Sequence, residues 1–116
     1  MGNHLLLLFY KTDRIQMDTA DSLSGTWTPV SANIHTIAPN HEGPAICRED
    51  NQDSWMLMLD NLTTRGGYEP FVTSNLQEGQ FTSVVAETTF SDGVKYRHGS
   101  LLPISQKEYQ SLIEKF

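Results

Sequence analysis

Asp21-Ser22-Leu23-Ser24-Gly25-Thr26-Trp27-Thr28-Pro29-Val30 returns later in the chain as Ser74-Asn75-Leu76-Gln77-Glu78-Gly79-Gln80-Phe81-Thr82-Ser83-Val84, with one residue inserted. Leucine, glycine, an aromatic, threonine and valine keep their order in both copies. The offset is about 53 residues, the length of one β supersecondary unit in a radially repeated fold. In each copy a turn-rich loop leads into a short strand. Pro29 marks the first of these strands as an edge, because proline cannot donate to a sheet ladder.

The segments before each copy complete the unit. Leu5 to Tyr10 is a continuous apolar run, short enough to predict a strand buried on both faces. Ile15 to Ala20 alternates apolar and polar residues, as a half-buried strand does. In the second unit Gly43 to Cys47 predicts a short strand and Ser54 to Asp60 a buried one. Tyr68 to Thr73 is an alternating strand and Gln80 to Val84 an edge. Ser31 to His41 has no periodicity and reads as irregular. The expected fold is all-β: about two four-stranded antiparallel blades of a β-propeller, with one short C-terminal helix. The blade-like units cover about residues 5–30 and 43–84, and residues 97–116 supply a closing strand and helix. All belong to one partial propeller domain over residues 1–116.

The strand count is uneven. Three strands are legible in the first unit and four in the second. The apolar stretch Leu101 to Ile104 is a candidate for the strand that the first unit lacks. Two blades do not close a ring, since propellers have four to eight. Open edges and apolar faces then favour a homo-oligomer. At the end of the chain, Ser105-Gln106-Lys107-Glu108 is a capping box, and Tyr109, Leu112, Ile113 and Phe116 follow at helical spacing. That stripe is expected to pack on a blade.

Composition narrows the function. The 116 residues carry 14 acidic and 8 basic side chains, a formal net charge of -6, and no basic cluster, which excludes a nucleic-acid partner. Cys47 is the one cysteine, so neither an internal disulfide nor a multi-cysteine zinc site is available. The apolar N-terminal run is too short for a membrane span and lacks the flanks of a signal peptide. The chain as written is therefore expected in the cytoplasm and off the membrane, although a longer parent is compatible with secretion.

Two motifs bear chemistry. In Asn40-His41-Glu42-Gly43-Pro44-Ala45-Ile46-Cys47, Gly43 permits a turn or a close approach, and Pro44 stiffens the entry into a strand. Glu42 thus sits at a strand mouth, an address that suits a catalytic acid and equally a solvated loop glutamate. His41 beside it either orients Glu42 or is exposed. In Arg97-His98-Gly99-Ser100 the imidazole either faces a channel, where it binds an ion or water, or is satisfied within a His-Gly turn. His4 and His35 share no ligand spacing with the others. Asp13, Asp18, Asp60 and Glu69 lie beside turns or on alternating strands and read as solvated.

Several segments together resemble the C-terminal part of the five-bladed propeller glycosidases related to glycoside hydrolase family 43, the arabinanase, arabinosidase and xylosidase group. They are Leu8-Phe9-Tyr10-Lys11, Asp21 to Thr28, Glu42-Gly43-Pro44-Ala45-Ile46, Gly67-Tyr68-Glu69-Pro70-Phe71-Val72-Thr73 and Arg97-His98-Gly99-Ser100. Their order and spacing cover nearly the whole chain, which resembles roughly two blades of five. The resemblance implies inverting hydrolysis of arabinose- or xylose-containing glycosides, with a plant-type polysaccharide or oligosaccharide as partner. It implies Glu42 as the general acid, Arg97 and His41 as substrate-binding residues, and His98 as the residue near Ca2+ or another ion, with no cofactor strictly required. The family's base and modulating aspartates have no match here and are expected in sequence before Met1. A non-catalytic carbohydrate-binding or assembly module derived from such an enzyme is the alternative.

Overall fold

The computed structural model describes residues 6–50, 52–85 and 95–116. His4, Leu5 and the less regular stretch 86–94 lie outside the described residues. Two antiparallel sheets carry the fold and do not close into a barrel. The first holds β1 (Leu6–Lys11), β2 (Ile15–Ala20) and β3 (Thr28–Pro29), in that order. The second holds β4 (His41–Arg48), β5 (Trp55–Asn61), β6 (Gly67–Thr73) and β7 (Thr82–Ser83), again in sequence order. A short helix α1 (Ile34–Ile37) joins the sheets, and α2 (Gln106–Lys115) ends the chain.

The repeat has a direct structural meaning. Both of its copies connect an alternating strand to a two-residue edge strand, β2 to β3 and β6 to β7. Strands β1, β2 and β3 therefore correspond to β5, β6 and β7. The counterpart of β4 is the strand that the first sheet lacks among the described residues. This explains a difference from the sequence reading of β1. The run Leu6–Tyr10 is only partly buried, with Leu8 exposed. Its equivalent β5 is paired on both edges, whereas β1 pairs with β2 alone.

One apolar core lies between the sheets. Ile15 and Met17 of β2 meet Leu57 and Leu59 of β5, Phe71 of β6 and Phe81, with Ala32, Ile34 and Ala38 from the connecting segment. Each fully buried aliphatic or aromatic side chain contributes roughly 1.5–3 kcal/mol. Ile34 is completely buried, and this is what fixes α1 in a segment that carries no periodic pattern. Asn33 staples the sheets together. Its side-chain amide donates to Phe81 O at 2.9 Å, and its amide oxygen accepts from Phe81 N at 2.8 Å.

Two expectations are corrected at the C-terminus. Leu101–Ile104 forms no strand, so it does not complete the first sheet. Leu102 is exposed there, and Pro103 has no N–H to offer a ladder. The capping box of α2 forms as expected: Glu108 N donates to Ser105 Oγ at 3.1 Å and Ser105 N to Glu108 Oε2 at 2.6 Å. The apolar stripe of α2 does not pack on a blade, however. Tyr109, Leu112, Ile113 and Phe116 are all exposed, and no residue of the helix is buried. The helix owes its definition to local bonds and its cap.

Candidate active site

The site begins with a defect in a ladder. Between β4 and β5, Glu42 pairs with Asp60 and Ala45 with Met58, so three steps on β4 oppose two on β5. The extra residue makes a β-bulge, and Gly43 takes a left-handed φ of 61° within it. A Cβ at Gly43 would lie 3.1 Å from His98 Nδ1, so glycine serves here for space as well as for φ. Pro44 fits because a bulge asks less of the ladder.

The bulge sets Glu42 where three cationic or imidazole groups converge. Its Oε1 lies 2.9 Å from His98 Nε2 and 3.4 Å from Arg97 Nη2, and its Oε2 lies 3.9 Å from Lys11 Nζ at the end of β1. Asp60, opposite Glu42 on β5, is 0% exposed. Its Oδ2 accepts from Arg97 Nε at 2.5 Å and stands 3.4 Å from His98 Nε2. The Asp60 contact, first as a hydrogen bond and then as a charge, pushes the Arg97 guanidinium pKa above its ordinary value, with Glu42 adding to it. Asp60 Oδ1 has no hydrogen-bond partner among the described residues. A buried carboxylate in that position depends above all on the Arg97 ion pair, and breaking such a pair typically costs several kcal/mol.

The 97–99 loop is held from below. The Tyr68 hydroxyl accepts Gly99 N–H at 2.7 Å and lies 3.0 Å from Gly43 O and 3.2 Å from Gly99 O. Tyr68 N donates to Tyr96 O at 2.7 Å. Gly67 makes this approach possible, since a Cβ there would meet Tyr96 O at 2.8 Å. His98 itself adopts a left-handed φ of 48°, uncommon outside glycine, and backbone of this kind clusters at functional sites.

His41 and Glu42 are neighbours in sequence with separate partners. The His41 ring is 6% exposed. Nδ1 lies 2.8 Å from Pro39 O and Nε2 lies 2.9 Å from Glu69 Oε2, while Glu69 Oε1 accepts from Asn61 at 2.8 Å. The ring also meets Phe71 edge to face. Thus Glu42, Arg97 and His98 come together, and His41 joins a second network across β4, β5 and β6. The sequence reading of Asp60 and Glu69 as solvated is corrected: Asp60 is fully buried against Arg97, and Glu69 is bonded to His41 and Asn61. Lys11 and Tyr68 carried no sequence signal for the site. Asp60 was discoverable: folding the chain at the polar turn 49–53 sets the end of the Trp55 run opposite Glu42.

Donor atoms of Glu42, Asp60 and His98 lie within 4.8 Å of one another. The fit to Ca2+ is poor. That ion takes about 6–8 oxygen ligands. Here Glu42 Oε1 and Asp60 Oδ2 already face both Arg97 and His98.

Two antiparallel sheets with a carboxylate pair, an arginine and a histidine at the start of β4 define a β protein with a polar, acid-centred site. Over residues 3–110 the chain matches a family described as a probable glycosyl hydrolase domain and related to glycoside hydrolase family 43, and it belongs to that family. No curated protein and no solved structure matches the chain. Among the described residues no helix is long and apolar enough to cross a membrane.

Proposed function

We propose that this chain carries the acid side of an inverting glycosidase site for arabinose- or xylose-containing glycosides of plant type, with Glu42 as general acid. The observation that supports this reading is the β-bulge at Gly43 and Pro44, which sets Glu42 at the start of β4 opposite the buried Asp60 and beside His98. Inverting hydrolysis protonates the leaving glycosidic oxygen from one carboxyl group while a second activates water on the opposite face. Once Glu42 has given up its proton, its carboxylate faces Arg97 and Lys11, fixed charges already in position. The half-exposed Arg97 also offers its guanidinium to sugar hydroxyls. His41, with both ring nitrogens engaged inside the protein, acts as a positioning residue for the start of β4.

Asp60 is not the base. Inverting pairs stand about 6.5–9.5 Å apart to admit a water. Asp60 and Glu42 each place an oxygen within 4.8 Å of the other. On this reading the base comes from a segment outside the site described, either sequence before Met1 or an associated second chain. The same closeness favours the second reading, a module that kept sugar binding or assembly and lost turnover.

The test is an assay of the purified chain on arabinan, xylan and their aryl glycosides, with calorimetry on the matching oligosaccharides and light scattering for mass. Expected are little or no turnover and a mass above the monomer. Robust turnover by a monomer, lost in Glu42→Gln, would refute the missing base. Absence of both turnover and sugar binding in every assembled form would refute the glycosidase reading itself.

A further inference from the structure

The site holds two carboxylates in direct cross-strand register, one of them fully buried, and yet it is not a site of net negative charge. Arg97 spans the pair, with Nε on Asp60 and Nη2 on Glu42. Lys11 approaches the other Glu42 oxygen. Two carboxylates are thus met by two cations.

We propose that Arg97 is the resident cation of this site: its guanidinium takes the place between Glu42 and Asp60 that a divalent ion would otherwise fill, and the chain assembles the site without metal. Three observations bear on this. First, the oxygens nearest to His98 are the same ones that Arg97 engages, so their lone pairs already point at N–H donors. Second, the donors that lie together among the described residues are two carboxylates and one imidazole, short of the about 6–8 oxygen ligands of a Ca2+ shell. Third, the backbone that follows Arg97 is held in place. The next residue, His98, sits over Gly43 in a left-handed conformation, and Gly99 is pinned to the Tyr68 hydroxyl. Arginine suits this place because its planar fork reaches two carboxylates at once and stays charged at any working pH. The inference rests on this geometry and stands whether or not the chain hydrolyses sugars.

The experiment compares the EDTA-treated full chain with Arg97→Met by calorimetric titration of Ca2+ and Mn2+ and by thermal unfolding with and without each ion. The wild-type chain is expected to show no change in Tm with either ion or with EDTA, and no binding tighter than millimolar. Arg97→Met, with one nearby like charge removed, is expected to bind either ion on the order of 10-fold more tightly, even with water-like screening. Sub-millimolar binding by the wild-type chain that is lost in Asp60→Asn would overturn the proposal. So would an Arg97→Met chain that folds and remains as indifferent to metal as wild type. Should Arg97→Met fail to fold, Mn2+ broadening of amide signals in the wild-type chain decides: weak, unlocalised broadening supports the proposal, and selective loss of the Gly43 and Gly99 signals overturns it.

Discussion

Tyr68→Phe removes one hydroxyl oxygen and leaves the ring. In the native chain that oxygen accepts Gly99 N–H at 2.7 Å and has two carbonyls within reach, Gly43 O at 3.0 Å and Gly99 O at 3.2 Å. A hydroxyl has a single proton, so one bond is accepted and one is donated. Two bonds are lost, not three. At about 0.5–1.5 kcal/mol each the ceiling is about 3 kcal/mol. Gly99 is exposed, and water can take up the freed groups, so the expected loss is about 1–2 kcal/mol. The loss falls on the 97–99 loop, because Tyr68 N still holds Tyr96 O. A local opening free energy reduced by that amount corresponds to a factor of about 5–30. The assay is amide hydrogen exchange followed residue by residue, alongside urea denaturation. Gly99 N–H is expected to exchange about 5–30-fold faster, while amides in β5 follow the global stability. Unchanged Gly99 protection with an unchanged midpoint would show that the Arg97–Asp60 pair alone positions the loop, and that Tyr68 has no part in building the site.

Two further outcomes follow from the same geometry. Gly43→Ala forces a side chain into a left-handed φ, a cost of about 1–2 kcal/mol, and sets the new Cβ 3.1 Å from His98 Nδ1; a lower denaturation midpoint and a displaced His98 ring signal are expected by NMR. The Ser105 backbone N–H, and then its side chain, hold the Glu108 carboxyl below its ordinary pKa, so the folded value is the depressed one. The contribution of the cap is therefore present above the unfolded pKa and lost as pH falls through the folded one. Helicity of α2 is expected to decline on acidification, and in Glu108→Gln, which keeps an acceptor without a titrating group, that part of the decline is expected to vanish by circular dichroism.

The strands were legible because their signals are local. Ile15–Ala20 alternates, Trp55–Asn61 is a run of mostly apolar residues, and the repeat of Asp21–Val30 in Ser74–Val84 reports two units of one kind. What was not legible depended on distant partners. Ile34 is buried by the meeting of the two sheets, and no pattern in Ser31–His41 announces that. The stripe of α2 has the right spacing for a packed face, but spacing cannot supply the surface that would cover it. Leu101–Ile104 has strand-like composition, but composition does not provide an edge to pair with. Asp60 illustrates the same limit at the site. An aspartate before an asparagine at the end of an apolar run reads as the start of a turn. It is buried on the central strand β5, between Glu42 and Tyr68, and its charge is met by Arg97, 37 residues further on.

The Glu-Gly-Pro tripeptide shows why a site of this kind is visible in sequence at all. A regular β4 would hold Glu42 in the even alternation of its ladder. Gly43 and Pro44 are both poor strand residues, one for lack of a side chain and the other for lack of an N–H. Placed together they make an irregular ladder at this point cheaper than a regular one. The bulge that results is at once the reason Glu42 is re-aimed and the reason the His98 ring fits over the chain. The residues that weaken the strand therefore build the site, and their local cost is offset by the Arg97, His98 and Tyr68 bonds closing over them. A substitution that improved β4 as a strand, such as valine at Gly43, would remove the geometry on which those bonds depend.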